Sequence, residues 1–304
     1  MSSARTRSGE TFPDHASGPA PRHFSAARLA VYIFLIASMI FFLLPIYIMV
    51  ATSVKTMPEI RGGSALAWPI APGFGAWLKA WSSACIGLEC TGIQGGFWNS
   101  VRIVVPSVVL SVLVGAVNGY CLSFWRFRGA NLMFFIMLFG IFIPYQIFVF
   151  PMISISAFLG IYGTLPGIIL AHVIFGMPIM TLMFRNAFAG LPIELFKAAR
   201  VDGAGFVRIF LQIILPMSKP IIVVAVIWQA TSIWNDYLLG LVFAGRENLP
   251  MTAQLNLLVA AELGAHEYNV DMAATLQTAL IPLLIYFLSG KWFVRGIASG
   301  AVKG

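Results

Sequence analysis

The sequence predicts an all-α integral membrane protein with six membrane-spanning helices. Of its 304 residues, 59% are hydrophobic and only 10% are charged, whereas soluble domains carry roughly 25% charged residues. The apolar residues form blocks of about 20, the length that crosses ~30 Å of hydrocarbon as a helix. Every backbone amide must be satisfied inside lipid, and β-barrel alternation is absent, so the blocks are expected to be helices.

The six predicted spans cover residues 29–50, 101–122, 132–152, 165–183, 221–242 and 272–293. The first follows basic residues, as a signal peptide does, but its length fits a spanning helix and no cleavage site follows it. Four prolines, Pro45, Pro106, Pro144 and Pro282, fall inside spans. They are expected to kink the helices, because neighbouring helices can satisfy the carbonyls that proline frees.

The predicted organisation is a tail, a membrane domain and a second tail. Residues 1–28 are rich in Ser, Pro, Ala and Arg and cannot bury enough apolar surface to fold alone, so we expect a disordered cytoplasmic tail. Residues 29–294 form the six-helix domain. Residues 295–304 form a small basic cytoplasmic tail.

Lys and Arg divide unequally between alternate connections. With the amino terminus in the cytoplasm, fourteen of the 19 lie on the cytoplasmic side and five, Lys55, Arg61, Lys79, Arg102 and Arg246, on the other. Cytoplasmic loops carry the excess of positive charge, so both termini are expected inside. Because the basic residues cluster between apolar blocks, the net charge of +8 does not indicate a nucleic-acid partner.

Two cysteines, Cys85 and Cys90, lie in a loop on the predicted outer side. A disulfide is chemically allowed there, and two free, half-buried thiols are the alternative. The third cysteine, Cys121, falls in an apolar block and is expected to be core.

The loop between the fourth and fifth spans, residues 191–220, carries the most information. Pro192 and Glu194 suit the first turn of a helix, while Gly203 and Gly205 suit its end. Helical spacing would place Ile193, Phe196, Lys197 and Arg200 on one face that could dock in a partner's groove. An ordinary interfacial helix is the alternative.

The same loop resembles the EAA loop of ABC importer permeases, whose short helix docks into the ATP-binding subunit. The resemblance rests on Ala198-Ala199, Gly203, Ile213 and Leu215-Pro216 at the family's spacing. The family commonly has Glu before the two alanines, whereas this chain has Lys197, which reverses the charge at that contact. The coupling residues that the resemblance implies are Glu194, Lys197, Ala198, Ala199, Asp202, Gly203 and Ala204.

Other motifs resemble the carbohydrate-uptake branch of that superfamily, namely FWNS at 97–100, WRFRG at 125–129, IPYQ at 143–146, WNDY at 234–237 and the ending VRGIASGAVKG. Within the branch, residues 80–85, 197–205 and 267–274 look like permeases of the glucose/mannose uptake group. The resemblance runs from about the first span to the last residue.

That resemblance implies a type I ABC importer permease fold in the bacterial inner membrane. The implied partners are a second homologous permease, an ABC ATPase dimer, a periplasmic sugar-binding protein, the sugar and the lipid bilayer. This chain would bind no cofactor, since ATP and Mg²⁺ belong to the ATPase. The carboxyl tail can reach the ATPase dimer interface in related permeases, and a solvated tail is the alternative.

Polar residues near the spans are candidates for a substrate pathway or a permease interface. Asn235, Asp236 and Tyr237 with Trp234 could offer hydrogen bonds and an aromatic face to a sugar, and a carboxylate inside a span suggests function. Alternatively, Asp236 sits near a helix end, paired or hydrated. Gln146, Asn118 and Gln229 are expected to face the bundle interior, where they either line a pathway or hold helices together.

The sequence lacks the motifs of several other function classes. It has no G-x-x-x-x-G-K-[ST] phosphate loop, no H-E-x-x-H and no clustered metal ligands, so we expect a transport subunit rather than an enzyme and no metal site. A secondary transporter would show repeat symmetry or helix-embedded ion ligands. A channel or scaffold would need no docking loop, and neither alternative accounts for residues 191–220.

Overall fold

The structure is a computed structural model that describes residues 26–87, 89–125, 127–260 and 266–301, of which 291–301 only in the backbone. The chain divides into two compact units, residues 1–48 and 49–304. The described part of the first unit is a single apolar helix with Pro45 inside it. All contacts reported below lie within the second unit.

The described residues fold into helices joined by turns and short loops. In chain order these are α1 (Ala26–Ser53), α2 (Met57–Gly62), α3 (Gly75–Ser82), α4 (Gln94–Phe124), α5 (Ala130–Phe142), α6 (Gln146–Phe158), α7 (Leu165–Ala189), α8 (Ile193–Val201), α9 (Phe206–Ile209), a π-helical turn (Phe210–Ile214), α10 (Leu215–Met217), α11 (Lys219–Asn235), α12 (Leu238–Phe243), α13 (Met251–Val259) and α14 (Tyr268–Ala301).

Among the described residues, four helices are long and apolar enough to span a membrane, and two bent helix pairs raise the number to six if each pair is one span. The four are α1, α4, α7 and residues 268–290 of α14, so the predicted all-α membrane class is confirmed. The predicted spans 132–152 and 221–242 were wrong as continuous helices. The first bends by 109° between α5 and α6, and the second follows an 83° bend and ends at Asn235.

The bend between α5 and α6 has a local cause in the sequence. Ile143 ends α5 in an extended conformation, with ψ of 125°, and it precedes Pro144, which disfavours helical geometry in the residue before it. Pro106 and Pro282, in contrast, lie inside the continuous helices α4 and α14. Of the predicted kinks in this unit, Pro144 therefore marks an observed break.

The helix ends differ from the predicted tail boundaries. Residues 1–25 of the predicted tail 1–28 lie outside the described residues, and α1 already begins at Ala26. At the other end, α14 continues to Ala301, beyond the predicted tail start at 295, and residues 302–304 lie outside the description.

The parallel helices α4 and α7 form the centre of the second unit. A Cβ placed on Gly115 would lie 2.4 Å from Cβ of Met180, and one on Gly119 would lie 2.7 Å from Cβ of Phe184. The two glycines are four residues apart, the small-xxx-small pattern that lets helix backbones approach closely in membranes. The close contact between α4 and α7 therefore depends on the absence of side chains at these two positions.

A buried polar contact joins a third helix to this pair. Gln229 of α11 donates from Nε2 to Oγ of Ser111 on α4 at 3.2 Å. The amide lies directly over Gly176 of α7, where an added Cβ would be 2.2 Å from Nε2. Of the alternatives for Gln229, holding helices together is the one that the structure supports.

At the amino-terminal end of α4, α14 packs against both α3 and α13. Ala80, Ile93, Trp234, Met251 and Ala273 belong to one buried cluster there. The loop between α3 and α4 is closed by a Cys85–Cys90 disulfide, the first of the two alternatives for this pair. Cys121 lies half-buried in α4.

Replacing Gly115 with valine should destabilise the protein by about 1–3 kcal/mol, the usual cost of overpacking, because the added side chain would overlap the Met180 backbone. The measurement is the thermal unfolding midpoint in detergent, followed by tryptophan fluorescence. Gly140→Val is the matched control, since an added Cβ at Gly140 meets nothing within 4 Å. Equal midpoint shifts in the two variants would contradict the close approach of α4 and α7.

Candidate coupling surface and membrane pathway

The short helix α8 is bounded by local sequence signals. Pro192 precedes its first residue and Glu194 lies in the first turn, near the positive end of the helix dipole. At its end Gly203 adopts φ of +76°, while the amide of Ala204 donates to the Ala199 carbonyl at 2.9 Å and that of Gly203 to Arg200 at 3.1 Å. These two bonds around a left-handed residue form a Schellman motif, which glycine accommodates without strain.

The helix α8 has one face toward the bundle and one toward solvent. Phe196 and Ala199 are buried, whereas Ile193, Lys197 and Arg200 are exposed. The predicted docking face of Ile193, Phe196, Lys197 and Arg200 was therefore wrong in including Phe196. An aromatic side chain gains more from packing in the bundle than from facing water, which leaves the neighbouring positions for a partner.

Phe196 belongs to an aromatic cluster, defined here as Tyr120, Phe124, Trp125, Phe196 and Phe206. The Phe196 ring stacks on Phe124 at 5.0 Å between centroids and meets Trp125 edge-on at 5.9 Å. Phe206 lies 4.7 Å from Tyr120. The cluster joins α8 and the start of α9 to the carboxyl end of α4.

The Arg200 side chain adds a cation–π contact between α8 and the end of α4. The Arg200 guanidinium carbon lies 5.1 Å from the centroid of the Trp125 ring, within the ~6 Å range of cation–π attraction. Motion of α8 must therefore move the end of α4, unless several ring contacts are lost together.

Beside the exposed face of α8 lies an open groove of about 480 Å³. Its other wall is the π-helical turn with α10, segments in which the regular helical hydrogen-bond pattern is interrupted. The lining residues are Leu195, Ala198, Ala199, Asp202, Gln212, Ile213, Pro216 and Met217.

The structure brings the seven predicted coupling residues together on α8 and the turn that follows it. Five are exposed, namely Glu194, Lys197, Ala198, Asp202 and Gly203, whereas Ala199 is buried and Ala204 half-buried. The exposed set carries two carboxylates and one ammonium within nine residues. That surface suits a polar protein partner rather than lipid.

Asp236 lies at a helix break rather than inside a spanning helix. It ends α11 with extended backbone, and its Oδ2 accepts a hydrogen bond from the Gly240 amide at 3.1 Å in the first turn of α12. Its carbonyl accepts from Oγ1 of Thr252 at 2.7 Å. The alternative of a helix-end role is therefore the one that the geometry favours.

The other residues of the WNDY motif are exposed or contact other helices. Tyr237 is exposed and donates through its hydroxyl to Oδ1 of Asn256 at 3.1 Å, and Asn235 is exposed at the end of α11. Trp234 is buried and donates to the Thr278 carbonyl on α14 at 3.0 Å. The WNDY motif thus tethers α11, α12, α13 and α14.

The other predicted pathway residues separate into two kinds. Gln146 begins α6 at the 109° bend and is exposed, so the expectation that it faces the interior of this bundle was wrong. Asn118 is half-buried between α4 and α7 and donates to Oγ1 of Thr181 at 3.4 Å, a contact that holds the helix pair.

The FWNS motif connects the start of α4 to the segment that leads into α13. Asn99 donates to the carbonyls of Glu247 and Leu249 at 2.9 and 3.2 Å, and Oγ of Ser100 accepts from the Met251 amide at 2.8 Å. Sequence reasoning recognised the motif but not this role. It also missed Tyr120, whose only signal was an aromatic residue amid small ones.

A family model decides what this bundle is. Residues 103–299 match the model for the binding-protein-dependent transport system inner membrane component, a range that includes α8, its aromatic cluster and the groove. The chain belongs to this family. It is a multi-pass inner-membrane permease of an ABC importer, and therefore a transport subunit rather than an enzyme.

Curated relatives agree with the family. The permease is 35% identical over 284 residues to a probable ABC transporter permease protein of Pyrococcus horikoshii, covering 93% of this chain and all of that one. It is 35% identical to the alpha-glucoside transport system permease of Rhizobium meliloti, over 71% of this chain and 58% of that one. The xylose/arabinose import permease of Haloferax volcanii is 28% identical, covering 90% and 93%.

Solved structures share the permease fold. A bacterial ABC transporter for import of the acidic polysaccharide alginate has a chain that aligns with TM-score 0.74 at 20% identity, covering 90% of this chain and all of that chain. An inward-facing methionine ABC transporter aligns with TM-score 0.53, covering 67% and 95%. The type I importer fold is thereby confirmed, and the family implies an ATPase and a substrate-binding protein as partners.

Replacing Phe196 with alanine should loosen α8, because a buried phenylalanine truncated to alanine typically costs about 3–5 kcal/mol. Hydrogen exchange of the α8 amides in the detergent-purified permease measures this directly and should become faster. Leu195→Ala is the matched control, since Leu195 is the adjacent residue and 43% exposed. Unchanged protection in the Phe196 variant would show that the aromatic cluster does not hold α8.

Proposed function

We propose that this permease carries a sugar across the inner membrane, paired with a second, homologous permease and driven by an ATPase dimer that docks on α8. The observation that carries the proposal is the charged, exposed face of α8, held by its buried face to the end of a spanning helix. A helix so placed can pass the motion of a partner into the bundle.

The relatives support a sugar as substrate. Their names include an alpha-glucoside, a xylose/arabinose and a diacetylchitobiose system. Within that range, the residues at 80–85, 197–205 and 267–274 that look like the glucose/mannose group favour a monosaccharide such as glucose or mannose. Uptake of labelled glucose by cells that depend on this permease, with mannose as competitor, tests the choice.

Coupling would follow two routes from α8. One passes through Phe196 and Arg200 into the end of α4, and the other through Ala204 and the π-helical turn into α11. Lys197 stands on the exposed face where the family commonly has Glu, so its partner on the ATPase is expected to be acidic. Opposite charges within reach favour each other, whereas two cations would repel.

Transport requires two states of the bundle with different affinities for its partners. ATP with Mg²⁺, held on the ATPase, and the loaded sugar-binding protein must each favour one state over the other, since a ligand with equal affinity for both moves nothing. Nucleotide chemistry is assigned to the partner, because this sequence has no G-x-x-x-x-G-K-[ST] phosphate loop.

We place Gln146, Asn235 and Tyr237 on a surface for the second permease or the sugar, because all three are exposed near helix breaks. Asn118 and Asp236 act from inside the bundle by holding helices and capping α12. The orientation with both termini in the cytoplasm follows from the excess of Lys and Arg on the α8 side.

Replacing Gly203 with aspartate should abolish coupled transport while the protein still inserts, because a side chain at φ of +76° strains the turn by about 1–2 kcal/mol and adds charge at the docking face. The measurement is copurification of the ATPase with the tagged permease from its native host, read by mass spectrometry. The wild type should bring an ATPase and a second permease, and the variant should lose the ATPase.

The matched control is Gly205→Asp, which adds the same charge two residues away. Gly205 has φ of −80° and precedes α9, where aspartate is a favourable cap, so that variant should keep the ATPase. Undiminished transport by Gly203→Asp would contradict the docking role. A permease that purifies alone and moves sugar in ATP-free liposomes would replace the importer proposal with a secondary transporter.

A topology test separates the two orientations. Green fluorescent protein fused after Gly304 should fluoresce, since it matures in the cytoplasm, and alkaline phosphatase inserted after Gly62 should be active, since it needs an oxidising compartment. The reverse pair of results would place both termini outside.

A further inference from the structure

An apolar patch lies outside the predicted spans, on the loop between α1 and α4. It consists of Leu66, Trp68, Ile70, Phe74 and Leu78, whose exposure runs from 55% at Leu66 to 90% at Ile70. Scattered exposed apolar residues are ordinary, but five large ones within 13 residues mark a surface that something covers. We call these five residues the loop patch.

The loop that carries the patch is held in one conformation. The carboxylate of Glu59 accepts from the Thr56 amide and, through its other oxygen, from the Ile70 amide, each at 2.8 Å. The Thr56 and Ile70 amides, followed by the Thr56 hydroxyl, lower the pKa of Glu59 to about 2, so the carboxylate stays ionised at neutral pH. Lys55 donates from Nζ to the Ser64 carbonyl at 3.2 Å.

The base of the loop is fixed at the end of a spanning helix. The Gly73 amide donates to the Val54 carbonyl at 3.0 Å, one residue past the end of α1, and the indole Nε1 of Trp77 donates to Oγ of Ser53 at 3.2 Å. The patch therefore begins where the hydrocarbon core gives way to headgroups.

A second contact gives the depth of the patch along α14. Nε2 of Gln277 donates to the Trp77 carbonyl at 2.9 Å, and one turn further along α14 the exposed apolar residues Leu280 and Leu283 begin. Phe74 and Leu78 flank Trp77 in α3 and its preceding turn. Trp77, between the patch residues Phe74 and Leu78, is therefore bonded to α14 one turn before the exposed apolar residues of that helix begin.

The segment that carries the loop patch is uncharged, and charged residues lie on either side of it in the sequence. The sequence has no Asp, Glu, Lys, Arg or His between Arg61 and Lys79, whereas Lys79 forms an ion pair with Glu267 at the amino end of α14. The charged groups Lys55, Glu59, Arg61 and Lys79 flank this segment, and Glu59 reaches Ile70 only through the backbone amide. An uncharged run with tryptophan at the level of a helix end is typical of the membrane interface.

We propose that the loop patch is a lipid anchor that lies in the headgroup–acyl boundary of the leaflet opposite α8. Its apolar side chains enter the boundary, while the Glu59 bridge holds the loop in the shape that presents them together. An anchor of this kind fixes α3 and the adjoining end of α14 relative to the bilayer, leaving the α8 end to move.

The test measures where Ile70 lies in a bilayer. The full chain carrying Ile70→Cys in a Cys121→Ser background, with its disulfide kept, is spin-labelled and placed in vesicles of phosphatidylethanolamine and phosphatidylglycerol. Collision of the label with oxygen and with a water-soluble nickel chelate is then compared with that at Gly62→Cys, at the charged end of the same loop. The Ile70 label should meet oxygen readily and the nickel chelate severalfold less often than the Gly62 label.

A second variant tests the role of the bridge. Glu59→Gln removes the ionised acceptor for the Thr56 and Ile70 amides, so the nickel collision rate at the Ile70 label should rise toward that at Gly62. The proposal would be overturned if, with Glu59 intact, the labels at positions 70 and 62 collided with the nickel chelate at equal rates. So would a high rate at Ile70 that falls only when loaded binding protein is added, since the patch would then be a protein-docking surface. Neither outcome depends on whether the ATPase docks on α8.

Discussion

The close approach of α4 and α7 is the constraint on which the rest of the structure depends. Lipid offers no hydrophobic driving force for helix association, so two helices stay together through van der Waals contact and a few hydrogen bonds. Gly115 and Gly119 allow that contact by leaving room for Met180 and Phe184. Since α4 also carries the aromatic cluster at one end and Asn99 and Ser100 at the other, the position of this pair sets the position of both functional ends.

Around the α4–α7 pair, the described helices are interrupted at several breaks. The 109° bend between α5 and α6, the 83° bend before α11 and the change from α11 to α12 all interrupt helical hydrogen bonding. Backbone groups freed at such breaks must find partners inside the protein, as the Gly240 amide does at Asp236. The proposed transport cycle needs elements with two arrangements, and we expect the helix breaks beside the α4–α7 pair to provide them.

Polar residues in this bundle serve mainly to hydrogen-bond one segment to another. Asn99, Gln229 and Trp234 all bind across helices or to loop backbone, with little left over for a substrate. These three side chains are therefore occupied by contacts within the bundle. The apolar surfaces divide in a similar way: most meet lipid along the spans, and the loop patch extends that contact to the headgroup boundary.

Local sequence signals were enough to predict the all-α membrane class, four of the spans, the α8 loop and the glycine that ends it, because hydropathy, turn chemistry and motif spacing are local properties. Tertiary structure alone decided that Phe196 turns inward, that Gln146 faces outward and that Asp236 caps α12. Each of these outcomes depends on which neighbour is close enough to contact the side chain. Such neighbours can be distant in sequence, since Tyr120 and Phe206 are in contact although 86 positions separate them. Periodicity places a side chain on a face of its helix, but only packing determines what that face meets.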